Sequence, residues 1–339
     1  MYQVIKRAKD LPKDWDKLCS KNVYMSKHFL EYMEKVNYCN QSYHLFYKGK
    51  KLYSCFMMFE KKFNLFIFTD KYDIKVNMKF IYLPLSVTKP SIVFGKDKTE
   101  VEDALNKMKG IKILINTDES DELKNFTKGK YLPICTLENK WNTFDDYMNS
   151  LRANYRRRYN QALKKGANIK VNILKDNSMF TDEMYNLYEQ VFEHSTYSLE
   201  KLNKEFFKND ISKVITLSIN NKVEAIVQII EDRVNDTLIF EFGGYNYEVA
   251  HEYDLYHNML IQIVKYAIDK NFKYINFGQT AYDAKLKFGS KMEQSYFLLS
   301  HSNKILNYLI KKNIKFLEYK VKEYSFNVFR DEGEKIVWK

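Results

Sequence analysis

Four of the chain's seven arginines fall between positions 152 and 158: Arg152, Arg156, Arg157 and Arg158. Guanidinium groups at that density form a fork for phosphate or carboxylate on a substrate or donor, because each presents paired donors to two anionic oxygens. The competing reading is a structural salt bridge, since an arginine on a buried face needs an anion in either case. A second candidate is Glu241, midway along the strand-like run Leu238-Ile-Phe-Glu-Phe242, where a carboxylate is disfavoured unless paired. The alternative for Glu241 is an edge-facing or salt-bridged side chain. No histidine has a carboxylate or cysteine at ligand spacing, so no metal site is expected. P-loop, Rossmann, Gly-x-Ser-x-Gly and EF-hand patterns are absent from the sequence.

The elements that must position these groups can be read from periodicity. At 339 residues the chain exceeds what one core holds, and 45% hydrophobic and 16% aromatic content supplies cores for two domains. Boundaries are expected at residues 1–140 and 141–339. The first half reads as strand, two helices, strands at Tyr43–Tyr47, Leu52–Glu60, Asn64–Thr69 and Phe80–Val87, a helix at Lys98–Lys109, and strands at Ile111–Ile115 and Leu132–Leu137. The second half repeats the order. It has a strand at Ile169–Leu174, helices at Asp182–Glu193 and Leu199–Lys208, and a hairpin turning at Asn220-Asn221. A third strand follows at Thr237–Tyr245, then a helix at Asp254–Lys270, a strand at Tyr274–Phe277, a helical turn at Tyr282–Phe288 and a strand at Glu293–Ser300.

A helix at Phe144–Lys165 connects the halves. At 100° per residue Phe144, Met148, Leu151, Tyr155, Tyr159 and Ala162 make one stripe, with Arg158 inside it and Arg152 and Arg156 on its edge. A basic amphipathic helix near 303–322 follows the second half and is expected to pack on the preceding domain rather than on a membrane. The net charge of +12 suits an anionic partner, or reflects a lysine-rich composition spread over a solvated surface. Cys19, Cys39, Cys55 and Cys135 fit no zinc template and read as buried small hydrophobes in a reducing compartment. No apolar run is long enough to span a bilayer and no signal-peptide core opens the chain, so a cytoplasmic protein is expected.

Strand, two helices, a three-strand meander, then helix–strand–helix–strand is the order of the GNAT acyltransferase superfamily. The tandem arrangement resembles the Fem-type peptidoglycan transferases and their GNAT-like relatives. Two segments carry the likeness: the basic stretch Leu151-Arg-Ala-Asn-Tyr-Arg-Arg-Arg-Tyr-Asn-Gln-Ala-Leu-Lys-Lys-Gly166, and Tyr274-Ile-Asn-Phe-Gly-Gln-Thr-Ala-Tyr-Asp-Ala-Lys-Leu-Lys-Phe-Gly289. The resemblance implies an α/β (α+β) fold of two GNAT-like units, each a mixed sheet flanked by helices. It also implies transfer of an activated acyl group to a small-molecule or peptide amine.

In a GNAT-type unit the third strand lines the cleft. The resemblance therefore makes Glu241 a candidate base, its pKa raised by apolar surroundings, and Tyr245 a candidate acid for the leaving group. It also lifts Lys285 above its competitor Lys287 as an oxyanion or phosphate ligand, with Gln279 and Tyr282 on the same wall. The usual glycine-rich pyrophosphate loop is missing: the stretch is Tyr247-Glu-Val-Ala-His-Glu-Tyr-Asp254. That argues against acetyl-CoA in the usual mode. The donors left open are acyl-CoA, an acyl-carrier protein and aminoacyl-tRNA. The alternative to an enzyme is a catalytically inactive protein that holds an anionic polymer on the basic helix.

Overall fold

The computed structural model describes every residue except 69–71, 86–87, 196–199, 331–335 and 339. Along the chain lie β1 (Tyr2–Ile5), α1 (Asp14–Leu18), α2 (Lys27–Val36), β2 (Ser42–Lys48), β3 (Lys51–Asn64), β4 (Lys75–Ile81), β5 (Ile92–Val93), α3 (Thr99–Lys107), β6 (Ile111–Thr117), β7 (Thr127–Lys130) and β8 (Ile134–Glu138). There follow α4 (Phe144–Ser150), α5 (Ala153–Lys165), β9 (Lys170–Ile173), α6 (Asp182–Glu193), β10 (Ser212–Ile219), β11 (Lys222–Asp232), β12 (Thr237–Tyr245), α7 (Ala250–Tyr253), α8 (Leu255–Asp269) and β13 (Tyr274–Gly278). The last elements are α9 (Tyr282–Lys287), β14 (Lys291–Glu293), β15 (Tyr296–His301), α10 (Lys304–Asn313), β16 (Tyr324–Phe326) and β17 (Ile336–Trp338).

The chain forms two mixed sheets flanked by helices, and the two sheets follow one plan. The first runs β1-β2-β3-β4-β6-β15-β7, with β5 beside β3; the second runs β9-β10-β11-β12-β13-β8-β14. In each, four antiparallel strands meet a parallel fifth, β4 with β6 and β12 with β13. Two antiparallel strands then complete the sheet. This is the GNAT-like order expected from the sequence, repeated in tandem.

The strand that fills the sixth place in each sheet comes from the other half of the sequence. One unit comprises Met1–Pro133 and Gln294–Val321, the other Ile134–Glu293 and Lys322–Lys339. The single strand expected over Glu293–Ser300 is thus divided between β14 in the second sheet and β15 in the first. The helix near 303–322, grouped with the second half on sequence order, belongs to the first unit. β8 buries alternate residues and β15 is a continuous buried run, and either pattern is satisfied in either sheet, so apolar patterning does not separate them.

Local signals explain most elements. Thr181 caps α6 through Met184 N at 3.3 Å, and Asp182 and Glu183 lie at its positive end. Asn220 and Asn221 take φ of 51° and 65°, as a two-residue hairpin turn requires. α8 buries ten of its residues, which makes it the central helix of the second unit. The strand expected at Leu52–Glu60 runs on to Asn64 as β3, and residues 65–68 of the strand expected at Asn64–Thr69 form a turn instead. Thr69 lies outside the described residues. β4 stops at Ile81 rather than reaching Val87, also outside them; Pro84, without an N–H, cannot extend the ladder. Within Leu199–Lys208, whose first residue is likewise not described, the helical part is a 3-10 turn at Lys204–Lys208. α10 lies against β15, but none of its residues is buried.

Candidate active site

The long helix expected over Phe144–Lys165 is two helices. Leu151 (φ −71°, ψ 144°) and Arg152 (φ −61°, ψ 152°) are extended between α4 and α5. Leu151 bridges to Phe329, and Arg152 N donates to Val328 O at 2.9 Å. Arg158 is exposed, on the flank of the buried stripe of Tyr159 and Ala162 within α5 rather than inside it. Arg152 is a structural tie: its Nε donates to Asn327 Oδ1 at 2.9 Å and Phe329 O at 3.0 Å. Arg158 Nε donates to His257 Nε2 at 3.2 Å, and His257 Nδ1 donates to Asp254 Oδ1 at 2.6 Å. Arg156 is half-buried. The four arginines do not converge as one fork.

In the second unit, β12 and β13 are paired only at Thr237–Ile239 against Tyr274–Asn276, although β12 continues to Tyr245. On its other side β12 carries a bulge, since Gln228 pairs with Phe242 and Ile229 with Phe240. The unpaired extra residue is Glu241. A bulge at the point where two parallel strands part re-aims one side chain. Here that side chain is a carboxylate with both oxygens buried and without a hydrogen-bond partner among the described residues. Burial alone raises its pKa to about 8. Among its described residues the first unit has no such notch: β4 stays paired with β6 through Ile81, and the β3–β4 ladder runs without a register shift.

Lys285, on α9, is only 4% exposed. Its Nζ donates to Gln279 O at 2.7 Å and lies 6.0 Å from the centre of the Phe240 ring, next to Glu241 in sequence. Burial lowers its pKa to about 8, partly opposed by the nearby Cys135 of β8. The Cys135 thiol is itself pushed up to about 11 by burial, against the pull of Lys285 and Ser290. Lys287, its competitor in sequence, pairs with Asp283. The loop that delivers Lys285 is strained: Gly278, Thr280 and Ala281 have φ of 75°, 61° and 46°. Left-handed Thr and Ala cost energy that surrounding structure must hold, a common mark of functional loops. Asn276 Oδ1 supports the turn by accepting from Gly278 N at 2.8 Å. Neither the strain nor the place of Cys135 had a signal in the sequence.

Tyr245 stacks on Tyr247 at 4.6 Å, and its phenol is held well above its ordinary range by burial and by the hydrogen bond to Tyr247. Tyr282 is buried, with its ring 6.3 Å from Tyr324. Gln279 contributes its carbonyl to Lys285. The structure thus places Lys285 and Gln279 in direct contact, with Lys285 over the ring next to Glu241. Glu241 and Lys285 do not set each other's pKa: burial is the one cause for Glu241, and burial followed by Cys135 for Lys285.

A pyrophosphate in the usual position does not fit the residues at the start of α8. α7 occupies the stretch before it, and Asp254 (φ 49°) joins the two helices. Burial pushes the Asp254 carboxyl up, but the His257 hydrogen bond and the positive charges of Lys165 and Arg158 outweigh it and hold the group anionic below its ordinary value. A fixed carboxylate in the first turn takes the place an incoming phosphate needs.

No protein-family model and no curated protein matches the chain's sequence. Solved structures do share its fold. The C-terminal domain of a protein assigned as a lysylphosphatidylglycerol synthetase from Agrobacterium fabrum aligns at a TM-score of 0.51 and 10% identity, covering 88% of this chain and 96% of that one. L-PGS from Bacillus licheniformis aligns at 0.51 and 10%, covering 84% and 94%. FemX aligns at 0.47 and 10%, covering 79% and 90%. The chain shares with the first two of these structures its fold, two tandem units of GNAT-like order, each a mixed sheet flanked by helices.

Proposed function

We propose that the second unit is an acyltransferase that moves an acyl or aminoacyl group from an activated carrier to an amine. The observation that carries this reading is Glu241: a buried carboxylate without a partner among the described residues, on a bulge, where β12 leaves β13. A base with a pKa of about 8 is matched to an alkylammonium at neutral pH. Glu241 takes the proton of the acceptor ammonium, and the free amine attacks the acyl carbonyl. Lys285 in its charged form stabilises the oxyanion of the tetrahedral intermediate. Collapse expels the carrier's oxygen or sulfur, which leaves with a proton from Tyr245. A phenol held protonated has that proton to give. The phenolate then takes the remaining extra proton of the attacking nitrogen, leaving a neutral amide, and Glu241 returns its proton to solvent. Positioning supplies the rest.

The fold shared with two structures named for lysylphosphatidylglycerol synthesis supports an aminoacyl group as cargo. Asp254 argues against acyl-CoA seated at α8, which leaves a carrier-linked donor, acyl-carrier protein or aminoacyl-tRNA. The net charge of +12 suits either, both being anionic. The acceptor is a small-molecule or peptide amine, as in Fem-type cell-wall peptide synthesis. The test is transfer of labelled amino acid or acyl group from each carrier to a panel of amines. Turnover with a carrier-linked donor, abolished by Glu241→Gln, is expected. Transfer from acyl-CoA alone overturns the donor assignment, and no transfer from any donor overturns the activity.

A second reading, a non-catalytic holder of an anionic polymer, is favoured by the exposure of Arg157 and Arg158 on α5. Under it, RNA or a polyanion stabilises the protein while Glu241→Gln changes nothing but stability.

A further inference from the structure

We propose that α10 is a docking surface for an anionic lipid membrane, whatever reaction the second unit performs. An amphipathic helix ordinarily turns its apolar face to the protein. α10 does the reverse. Asn307 holds its underside to the first unit: Nδ2 donates to Asn125 O at 3.0 Å, and Oδ1 accepts from His301 N at 2.8 Å. Ile310 is half-buried on that side. The opposite face carries Ile305, Tyr308 and Leu309, exposed by 72%, 58% and 48%. Their i, i+3, i+4 spacing lines them along one stripe. Phe316, 67% exposed in the following 3-10 turn, lies beyond the same end.

The charges on the helix identify the occupant. Lys304, Lys311, Lys312 and Lys315 are exposed, and residues 303–317 contain no acidic side chain. Lys312 Nζ lies 5.6 Å over the Tyr308 ring, so cation and aromatic share one face. Apolar and aromatic side chains among uncompensated lysines match an interface whose acyl boundary takes the first and whose anionic headgroups take the second. A second copy of the chain fits poorly, because pairing two such faces brings eight-fold positive charge together with no acid between. No helix among the described residues is long and apolar enough to cross a membrane, so the contact is peripheral.

The experiment is flotation of the full chain with phosphatidylcholine vesicles, with and without phosphatidylglycerol. Binding to the phosphatidylglycerol vesicles is expected to be roughly tenfold or more stronger and to weaken with salt. Ile305→Glu with Leu309→Glu should reduce it by about tenfold or more. Both positions are exposed, so the melting temperature should stay near wild type. If that variant misfolds, Lys304→Gln with Lys311→Gln, Lys312→Gln and Lys315→Gln gives the same readout without charge reversal. Binding indifferent to phosphatidylglycerol, or unchanged in both variants, overturns the proposal. So does a dimer, seen by light scattering, that the same substitutions dissociate. None of these results bears on Glu241, so the docking surface and the transferase reading fail separately.

Discussion

The Nζ of Lys285 donates to the carbonyl of Gln279 at 2.7 Å across the left-handed turn at Thr280 and Ala281. The ammonium is therefore fixed by backbone rather than by a counter-charge, and its remaining protons are available to an incoming oxyanion. Lys285→Met should lower kcat on the order of 10²-fold or more if the amine stabilises the intermediate. Lys285→Arg should not restore it, because a planar guanidinium cannot occupy a site shaped for a compact ammonium. Single-turnover rates with saturating donor check this. A loss confined to KM would assign Lys285 to donor binding instead.

Glu241→Gln should lower kcat by roughly 10²–10⁴-fold with donor affinity nearly intact. The same variant has a stability signature with a definite sign. The folded pKa of about 8 lies above the ordinary 4.5, so the folded state holds this proton more tightly than the unfolded state. The resulting stabilisation is complete below about pH 4.5 and is lost as pH rises through 8. The melting temperature of Glu241→Gln relative to wild type should therefore climb between pH 5 and pH 8.5. A difference independent of pH would mean that the carboxylate is solvated or paired in solution.

Lys285 titrates with the opposite sign. Its folded pKa of about 8 lies below the ordinary 10.5, so its buried ammonium destabilises the fold fully below pH 8, and the penalty disappears toward pH 10.5. Lys285→Met should thus raise the melting temperature at pH 7 and lose that advantage at pH 10.5. Activity requires Glu241 ionised and Lys285 charged, so kcat/KM should follow a narrow bell centred near pH 8. Thermal melts and rate profiles on the two variants separate the limbs.

How much of this was legible in the sequence depends on whether a feature was local. A carboxylate midway along an apolar run was visible at Glu241, and the Asn220-Asn221 turn announced its own backbone. The break at Leu151–Arg152 was not visible, because no proline or glycine marks it. Partners far along the chain impose it: Phe329 bridging Leu151, and Val328 accepting from Arg152. The same break leaves Arg152 outside either helix, where distant Asn327 and Phe329 hold it as a tie. The repeat of element order was legible from spacing, whereas the exchange of β8 and β15 was not, because an apolar strand reports burial without saying which sheet supplies it.

Gly244 tests how β12 is held. A Cβ there would lie 2.4 Å from Tyr188 N and 2.5 Å from Leu187 C, the backbone of α6, which cannot yield as a side chain can. Gly243 faces Met259 Cε at 2.6 Å, the flexible end of a long side chain. Gly244→Ala should destabilise by about 1–3 kcal/mol or more, and Gly243→Ala by less. Equal losses in denaturant titrations would show that α6 and β12 adjust together.

The exchange of strands makes a prediction about cutting the chain. β15 lies between β6 and β7, with Phe297, Leu298 and Leu299 buried. A fragment of residues 1–140 keeps β7 but lacks the strand that joins it to β6, and it also carries β8 without its partners β13 and β14. Both sides of β6 and β7 that should face β15 become open edges with unpaired backbone groups and apolar side chains, a state that favours aggregation. The fragment should be insoluble or molten, although the sequence divides naturally near residue 140. Fusing residues 294–321 to residues 1–133 through a flexible linker should restore a cooperative melt, because it supplies β15 and α10 without the second unit. A cooperative melt from residues 1–140 alone would show that β7 re-pairs directly with β6, and that β15 is an addition to the first sheet rather than its required sixth strand.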